Sequence, residues 1–469
     1  MKEKRTDYLN PLLLKISSLM IGILLLTASG CDDNNDDNTN PTANKTIVQV
    51  AQGNNDLSIL VTALTKYPDL VTTLSGAGPF TVFAPSNAAF TSLLSAIGQT
   101  SLDDIPEAVL KDVLKYHVVA TGAVKSTDLT AGNVTTYLDE DIAVTTAGGI
   151  KLNGSTNVKN ADVITSNGVV HVIDAVLVPP SIAPIVGTVV APAYFNKNFT
   201  TLIAAVKAAD ASILTTLLNA SNKTLFAPTN DAFVSAGITA LPDQATLNAV
   251  LAYHVIGSTV KAADIASGSS SAEVLNGKIY LSKGASGVFI NGNSKVTIAD
   301  IMASNGVVHV IDRTLIPPSK TIAGIVSEYA AKNPGAQCTK LLAALQRTSG
   351  QGANDLLAAA GAAGNLTVFA PTDAAFTASG INLETVPLAT LTEVLKHHIV
   401  AARVFSSDLA TGPVTTLNGN VGVDLTPNPP TVTGSSGGAN VANLNVDLLN
   451  IHATNGVIHV IDRVLIPAD

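Results

Sequence analysis

The chain has 469 residues, of which 46% are hydrophobic and only 13% charged, and its formal net charge is -9. That apolar content belongs to a folded protein rather than a disordered one, and the length suits about three domains of ~100–200 residues. With no Trp, 4% aromatic residues and no cluster of Lys and Arg, the composition argues against nucleic acid, a sugar platform built on Trp and an aromatic-walled cofactor pocket.

Lys2, Lys4, Arg5 and Lys15 give the N-terminus a positive balance, and an apolar run follows from Ile16 to Ala28. The run is shorter than the ~20 residues of a membrane span but suits the core of a signal peptide. It ends in Leu26-Thr27-Ala28-Ser29-Gly30-Cys31, which resembles the bacterial lipoprotein box. The resemblance implies a lipoprotein signal peptide over 1–30, lipidation of the Cys31 thiol and a membrane partner through that lipid. The next stretch begins Cys31-Asp32-Asp33-Asn34-Asn35-Asp36-Asp37, polar and without apolar periodicity, so 31–45 reads as an acidic disordered tether. It lacks the central Gly and bidentate Glu of a calcium loop. An acidic run after a lipidated cysteine also resembles the surface-export signals of Bacteroidetes lipoproteins. That likeness implies an outer-membrane, surface-exposed location.

The remainder is one unit written three times. Thr81-Val82-Phe83-Ala84-Pro85 returns as Thr224-Leu225-Phe226-Ala227-Pro228 and as Thr367-Val368-Phe369-Ala370-Pro371. Late in each unit comes a second block, Ser166-Asn167-Gly168-Val169-Val170-His171-Val172-Ile173-Asp174, matched by Ser304 to Asp312 and Thr454 to Asp462. Proline-rich ends at Pro179-Pro180, Pro317-Pro318 and Pro467 put the units at 46–181, 182–319 and 320–469. Joints this short should limit motion between units.

Within a unit, the spacing of Leu57, Leu60, Val61 and Leu64 predicts an amphipathic helix, repeated at Phe199 to Val206 and Cys338 to Leu345. Cys338 takes the place of Leu57 and Phe199, which makes it a small buried hydrophobe. The Phe-Ala-Pro block predicts a short buried strand. Ser86, Thr229 and Thr372 then cap the helix that follows, and Phe90, Phe233 and Phe376 pack back toward the prolines. A second amphipathic helix ends at His117, His254 and His398. The Asn-Gly pairs at 167, 305 and 455 predict hairpins whose turn needs positive φ, followed by a Val/Ile-rich strand. Helices first and strands later make each unit α+β.

The eight His residues invite a catalytic or metal reading, but no His-x-x-x-His or paired-Cys spacing supports zinc. On an apolar helix face, His117, His254 and His398 read as hydrogen-bonded structural groups, and so do His171, His309 and His459 within their strands. Gly434-Ser435-Ser436-Gly437-Gly438 matches a hydrolase elbow as a string, but without the strand before it and the helix after it. Asp174, Asp312-Arg313 and Asp462-Arg463 read as exposed pairs on a strand. No enzyme, no metal and no cofactor is expected.

The Thr-Val-Phe-Ala-Pro block, the Leu-x-Tyr-His helix end and the Asn-Gly-x-Val-His-Val-Ile-Asp hairpin resemble the fasciclin-like domain, in order and in all three units. The resemblance covers about 46–469. It implies a β-wedge or sandwich of about seven strands with surrounding helices. It also implies adhesion or binding to cell-surface, matrix or polysaccharide partners rather than catalysis. The animal adhesion segment maps onto Tyr116-His117 and Tyr253-His254, while the third unit departs with His397-His398. A second adhesion motif resembles Asp300-Ile301-Met302. The alternative is a structural envelope component with no ligand of its own.

Overall fold

A computed structural model describes residues 42–332, 337–435 and 440–468. The signal peptide, Cys31 and residues 31–41 of the tether lie outside the described residues, as do Ser436, Gly437 and Gly438. Residues 42–45 do not belong to a tether. Thr42 Oγ1 donates to the Ile164 carbonyl at 2.7 Å, and the Lys45 carbonyl accepts from Ser166 N at 2.8 Å. This start of the fold is pinned to the hairpin of its own unit.

The Phe-Ala-Pro strand Phe80–Pro85 lies parallel to Gly168–Ile173, and Lys223–Pro228 and Leu366–Pro371 pair likewise with Gly306–Ile311 and Gly456–Ile461. Each hairpin strand is buried along its whole length. Alternate residues therefore face two cores. Val82, Ala84, Val170 and Val172 point to the helices, while Phe83 and Ile173 join Tyr116, Ile142 and Leu152 on the other side.

In the first two units this pair sits inside a seven-stranded sheet. The first runs Val118–Val119, Phe80–Pro85, Gly168–Ile173, Thr156–Thr165, Lys151–Leu152, Asp141–Thr145, Gly132–Thr135. The third unit instead carries two four-stranded sheets, bridged at Leu444 and Ile461. The cause is local. The long strands Thr156–Thr165 and Ser294–Ala303 slip register at Asp162 and Asp300. In the third unit a 3-10 turn, Val446–Leu448, widens that bulge and splits the strand into Val441–Asn443 and Ile451–Ala453.

The expected helices form. Leu57, Phe199 and Cys338 are buried just ahead of Ser58–Thr65, Thr200–Ala208 and Thr339–Arg347. Ser86, Thr229 and Thr372 accept from the backbone N–H of Ala89, Ala232 and Ala375 at 3.3, 3.2 and 3.1 Å.

The hairpin turns differ from expectation. Asn167, Asn305 and Asn455 are not at positive φ, and of the three glycines only Gly306 is, at 150°. Glycine is required there by close approach, because a Cβ would stand 2.1, 2.0 and 2.1 Å from the carbonyl oxygens of Phe80, Lys223 and Leu366. The strand-end aspartates are also more than exposed groups. Asp174, Asp312 and Asp462 each accept the backbone N–H of the neighbouring strand, at Asn157, Lys295 and Asn443, all at 2.7 Å.

The described residues from Thr42 onward form one compact body. The helix-side cores of the first two units are continuous, whereas the third unit has its own.

Candidate functional site

His117, His254 and His398 follow directly on the helices Glu107–Tyr116, Gln244–Tyr253 and Leu388–His397. Nδ1 lies 2.7, 2.7 and 2.8 Å from the carbonyls of Val113, Val250 and Val394, one turn back. Nε2 accepts the N–H of Leu177, Leu315 and Leu465 at 2.8, 2.9 and 2.9 Å. An accepting Nε2 places the proton on Nδ1, which donates to the valine carbonyl. Each neutral ring thereby ties a helix end to the last residues of its unit. Burial pushes all three down to about 4.

The second histidines make the mirror arrangement. Nε2 of His171, His309 and His459 donates to Val124, Val260 and Val404 carbonyls at 2.9, 2.8 and 2.9 Å. Nδ1 accepts from Asp162, Asp300 and Asn450 N–H at 3.3, 3.2 and 3.3 Å. Those donors sit at the bulge with φ of 59°, 60° and 55°. The rings lie 5.6, 5.5 and 5.8 Å from those of Phe83, Phe226 and Phe369.

Tyr116 and Tyr253 turn their hydroxyls inward, to the Asp141 and Lys278 carbonyls at 2.7 and 2.9 Å. His397 takes the tyrosine's place, with Nδ1 2.6 Å from the Asn418 carbonyl. Ser435 comes within 3.4 Å of His397 Nε2, but its hydroxyl donates to the Asn420 carbonyl at 2.7 Å, so the two do not make a nucleophile and its base. The adhesion segment that the resemblance maps onto Tyr116, His117, Tyr253, His254, His397 and His398 does not lie on the surface. All six are interior, because their polar atoms close backbone hydrogen bonds of the fold. Asp300, Ile301 and Met302 differ. Met302 is 57% exposed, Asp300 is exposed while accepting from Ala262 N at 2.8 Å, and Ile301 packs on the shared core of the first two units. Cys338 is buried, its thiol pushed up to about 11. Among the described residues no three or more His, Cys, Asp or Glu side chains converge to hold a metal ion.

A surface feature repeats instead. Tyr137, Leu275 and Leu417 are 43%, 50% and 44% exposed. Each donates its N–H to the residue right after the buried helix-end histidine: Val118, Val255 and Ile399, at 2.7, 2.9 and 2.8 Å. Sequence reading missed these three because the residue type varies between aromatic and aliphatic.

The fasciclin domain model matches residues 55–179, 197–317 and 336–467. The chain belongs to the fasciclin domain family. Among its relatives, protein sll1483 of Synechocystis is 43% identical over 136 residues, 29% of this chain and 74% of that protein. The transforming growth factor-beta-induced protein ig-h3 of Sus scrofa is 34% identical over 266 residues, 54% of this chain and 37% of that protein. Human periostin is 28% identical over 349 residues, 73% of this chain and 39% of that protein. The chain thus spans well under half of these two animal relatives.

The fasciclin signature in this chain is a set of interior clasps. Asn167, Asn305 and Asn455 accept from the N–H of Ile47, Val189 and Ile322 at 2.9, 2.8 and 2.8 Å. Their amides donate to Leu74 and Gly76, to Leu217 and Asn219, and to Ala360 and Ala362. Asn87, Asn230 and Asp373, one residue past the cap, accept from Ile59, Thr201 and Lys340 N–H at 2.9, 2.9 and 2.8 Å. The block after each Phe-Ala-Pro strand therefore caps two helices, the next one and an earlier one, whereas each hairpin asparagine ties together earlier segments of its own unit. The signal for both clasps was in the sequence as side chains of one hydrogen-bonding kind at matched places in three units.

Proposed function

We propose that this fasciclin chain is a surface adhesion or binding protein, anchored by a lipid on Cys31 and engaging cell-surface, matrix or polysaccharide partners through its three domains. The observation that carries it is the threefold exposed side chain at Tyr137, Leu275 and Leu417, at one structural place in each domain. Isolated surface hydrophobes need no explanation, but the same position left exposed in three copies does. Relatives such as ig-h3 and periostin support the same reading, as does the family's association with adhesion. Weak sites repeated on one anchored chain gain strength through effective concentration. The buried Tyr116-His117, Tyr253-His254 and His397-His398 pairs then act as positioning residues beneath this surface. Asp300 and Met302 offer an additional contact on the second domain. No part of this reading requires catalysis.

The test is cell attachment and aggregation with the chain deleted, then restored as variants. Tyr137→Ser, Leu275→Ser and Leu417→Ser combined are expected to lower attachment more than any one alone. Wild-type attachment of the triple variant on every surface tried would leave the alternative, a structural envelope component with no ligand of its own. Cys31→Ser is expected to release the chain from the membrane fraction; retention there through an acylated N-terminus would refute the anchor.

A further inference from the structure

The two joints between domains share the sequence Pro-Pro-Ser but are built differently. At the first, the Glu140 carboxylate closes the joint, accepting from Ser181 N at 3.0 Å and Ser181 Oγ at 2.7 Å. Glu140 precedes Asp141, whose carbonyl receives the Tyr116 hydroxyl. In the second domain the carbonyl that receives the Tyr253 hydroxyl belongs to Lys278, and the residue before it is Gly277. The carboxylate that closes the first joint therefore has no counterpart at the second, and a cation follows in place of Asp141.

A cavity of about 420 Å³ lies at that second joint, with Gly277, Lys278, Ser319, Arg403, Tyr280 and His452 in its wall. Among the described residues the wall holds two cations, Lys278 and Arg403, and no carboxylate. Arg403 is held by the carbonyls of Ala453, Gly456 and Thr454 and by the Tyr280 ring 4.5 Å away, none of which neutralises it. Among the described residues Lys278 pairs only with Glu273, at 2.9 Å between exposed side chains, an ion pair worth little in water. The volume falls in the ~300–1,000 Å³ range of small-molecule sites.

We propose that this cleft binds a carboxylate-bearing small ligand of sugar-acid size, whose carboxylate takes at Ser319 the place that Glu140 takes at Ser181. Ser319 offers the same backbone N–H and hydroxyl, and Lys278 and Arg403 supply the charge. The hydroxyl of Thr454 remains for the body of the ligand. The cleft adjoins one of the exposed side chains proposed above for adhesion, since Leu275 directly precedes Asn276, Gly277 and Lys278 of its wall.

The experiment is calorimetric titration of the purified full chain with galacturonate, digalacturonate, succinate, galactose and sulfate. Galacturonate or digalacturonate is expected to bind and galactose not, with affinity falling as salt rises. Lys278→Glu is expected to weaken binding about tenfold or more, and Ser319→Ala to weaken it by a smaller factor. Both side chains are exposed, so unchanged melting temperatures check that the variants fold. Succinate binding as well as the sugar acids would assign the carboxylate to a free organic acid. The proposal is overturned if no carboxylate binds at millimolar concentration, if sulfate binds equally, or if Lys278→Glu changes nothing.

Discussion

A buried histidine that accepts a backbone N–H must stay neutral, so each helix-end ring makes the fold sensitive to acid. His117, His254 and His398 lie near 4 in the folded chain, against ~6.5 when unfolded. Between those values the unfolded chain takes up protons that the folded chain refuses. Stability is therefore full above about pH 6.5 and lost as pH falls toward 4, by roughly 3 kcal/mol per ring. Below that the lowered carboxylates of Asp162 and Asp174 add a loss of the same sign. Calorimetric melting between pH 7.5 and 4 is expected to show a steep fall, and His254→Gln a shallower one; a flat profile in wild type would refute the assignment. The structural reading of these rings was legible in the sequence, because they continue an apolar face with helical spacing. Their partners were not, because Leu177, Leu315 and Leu465 arrive from the far end of each domain, with no pattern marking which N–H is left over.

At the scale of elements, periodicity revealed the helices and β-branched runs revealed the hairpin strands, each confirmed three times within one chain. What sequence did not reveal is how one domain grips the next, because those contacts occur once and break the repeat. Asn450 donates to Asn293 Oδ1 at 2.6 Å and to the Gly292 carbonyl at 3.2 Å, while Tyr280 packs against Phe405 and His452. Tyr280 stands where the first domain has Ala143, as the paired bonds to Asn291 and Asn153 show. Gly292 supplies an internal control. A Cβ there would lie 2.7 Å from Asn450 Cγ and Phe405 Cβ of the third domain, whereas Gly154, at the matching place in the first domain, meets nothing within 4 Å. Both have similar positive φ, 74° and 79°. Gly154→Ala is thus expected to cost only the ~1–2 kcal/mol of a left-handed residue with a Cβ. Gly292→Ala should in addition loosen the second joint and expose Pro317 to Lys320 to proteolysis. Equal melting and equal cleavage of the two variants would mean that the domains do not grip each other there.

For the whole molecule, the distribution of buried apolar groups sets what unfolds together. Leu60, Leu114 and Val170 of the first domain belong to one continuous core with Val189, Leu202 and Leu251 of the second. Polar contacts reinforce that junction, where Gln99 donates to the Pro192 carbonyl at 3.3 Å and accepts from Asn196 at 3.1 Å. Among the described residues the third domain keeps its helix-side core to itself, and it meets the second through hydrogen bonds and a ring cluster around Tyr280. Opening the first domain alone would expose the apolar faces of both, so the first two domains should melt as one cooperative unit and the third separately. Leu114→Ala, which empties part of the shared core, is expected to cost about 2–5 kcal/mol. That loss should lower the melting of the first two domains in step while leaving the third unchanged. Leu395→Ala, in the core of the third, should do the reverse. Scanning calorimetry of the full chain resolves the two cases. A Leu114→Ala chain in which only one of the three domains shifts would mean that the continuous core does not couple the pair. A rigid pair also fixes the distance between Tyr137 and Leu275, so any partner gripping both must match that spacing, while Leu417 stands on the more separable third domain.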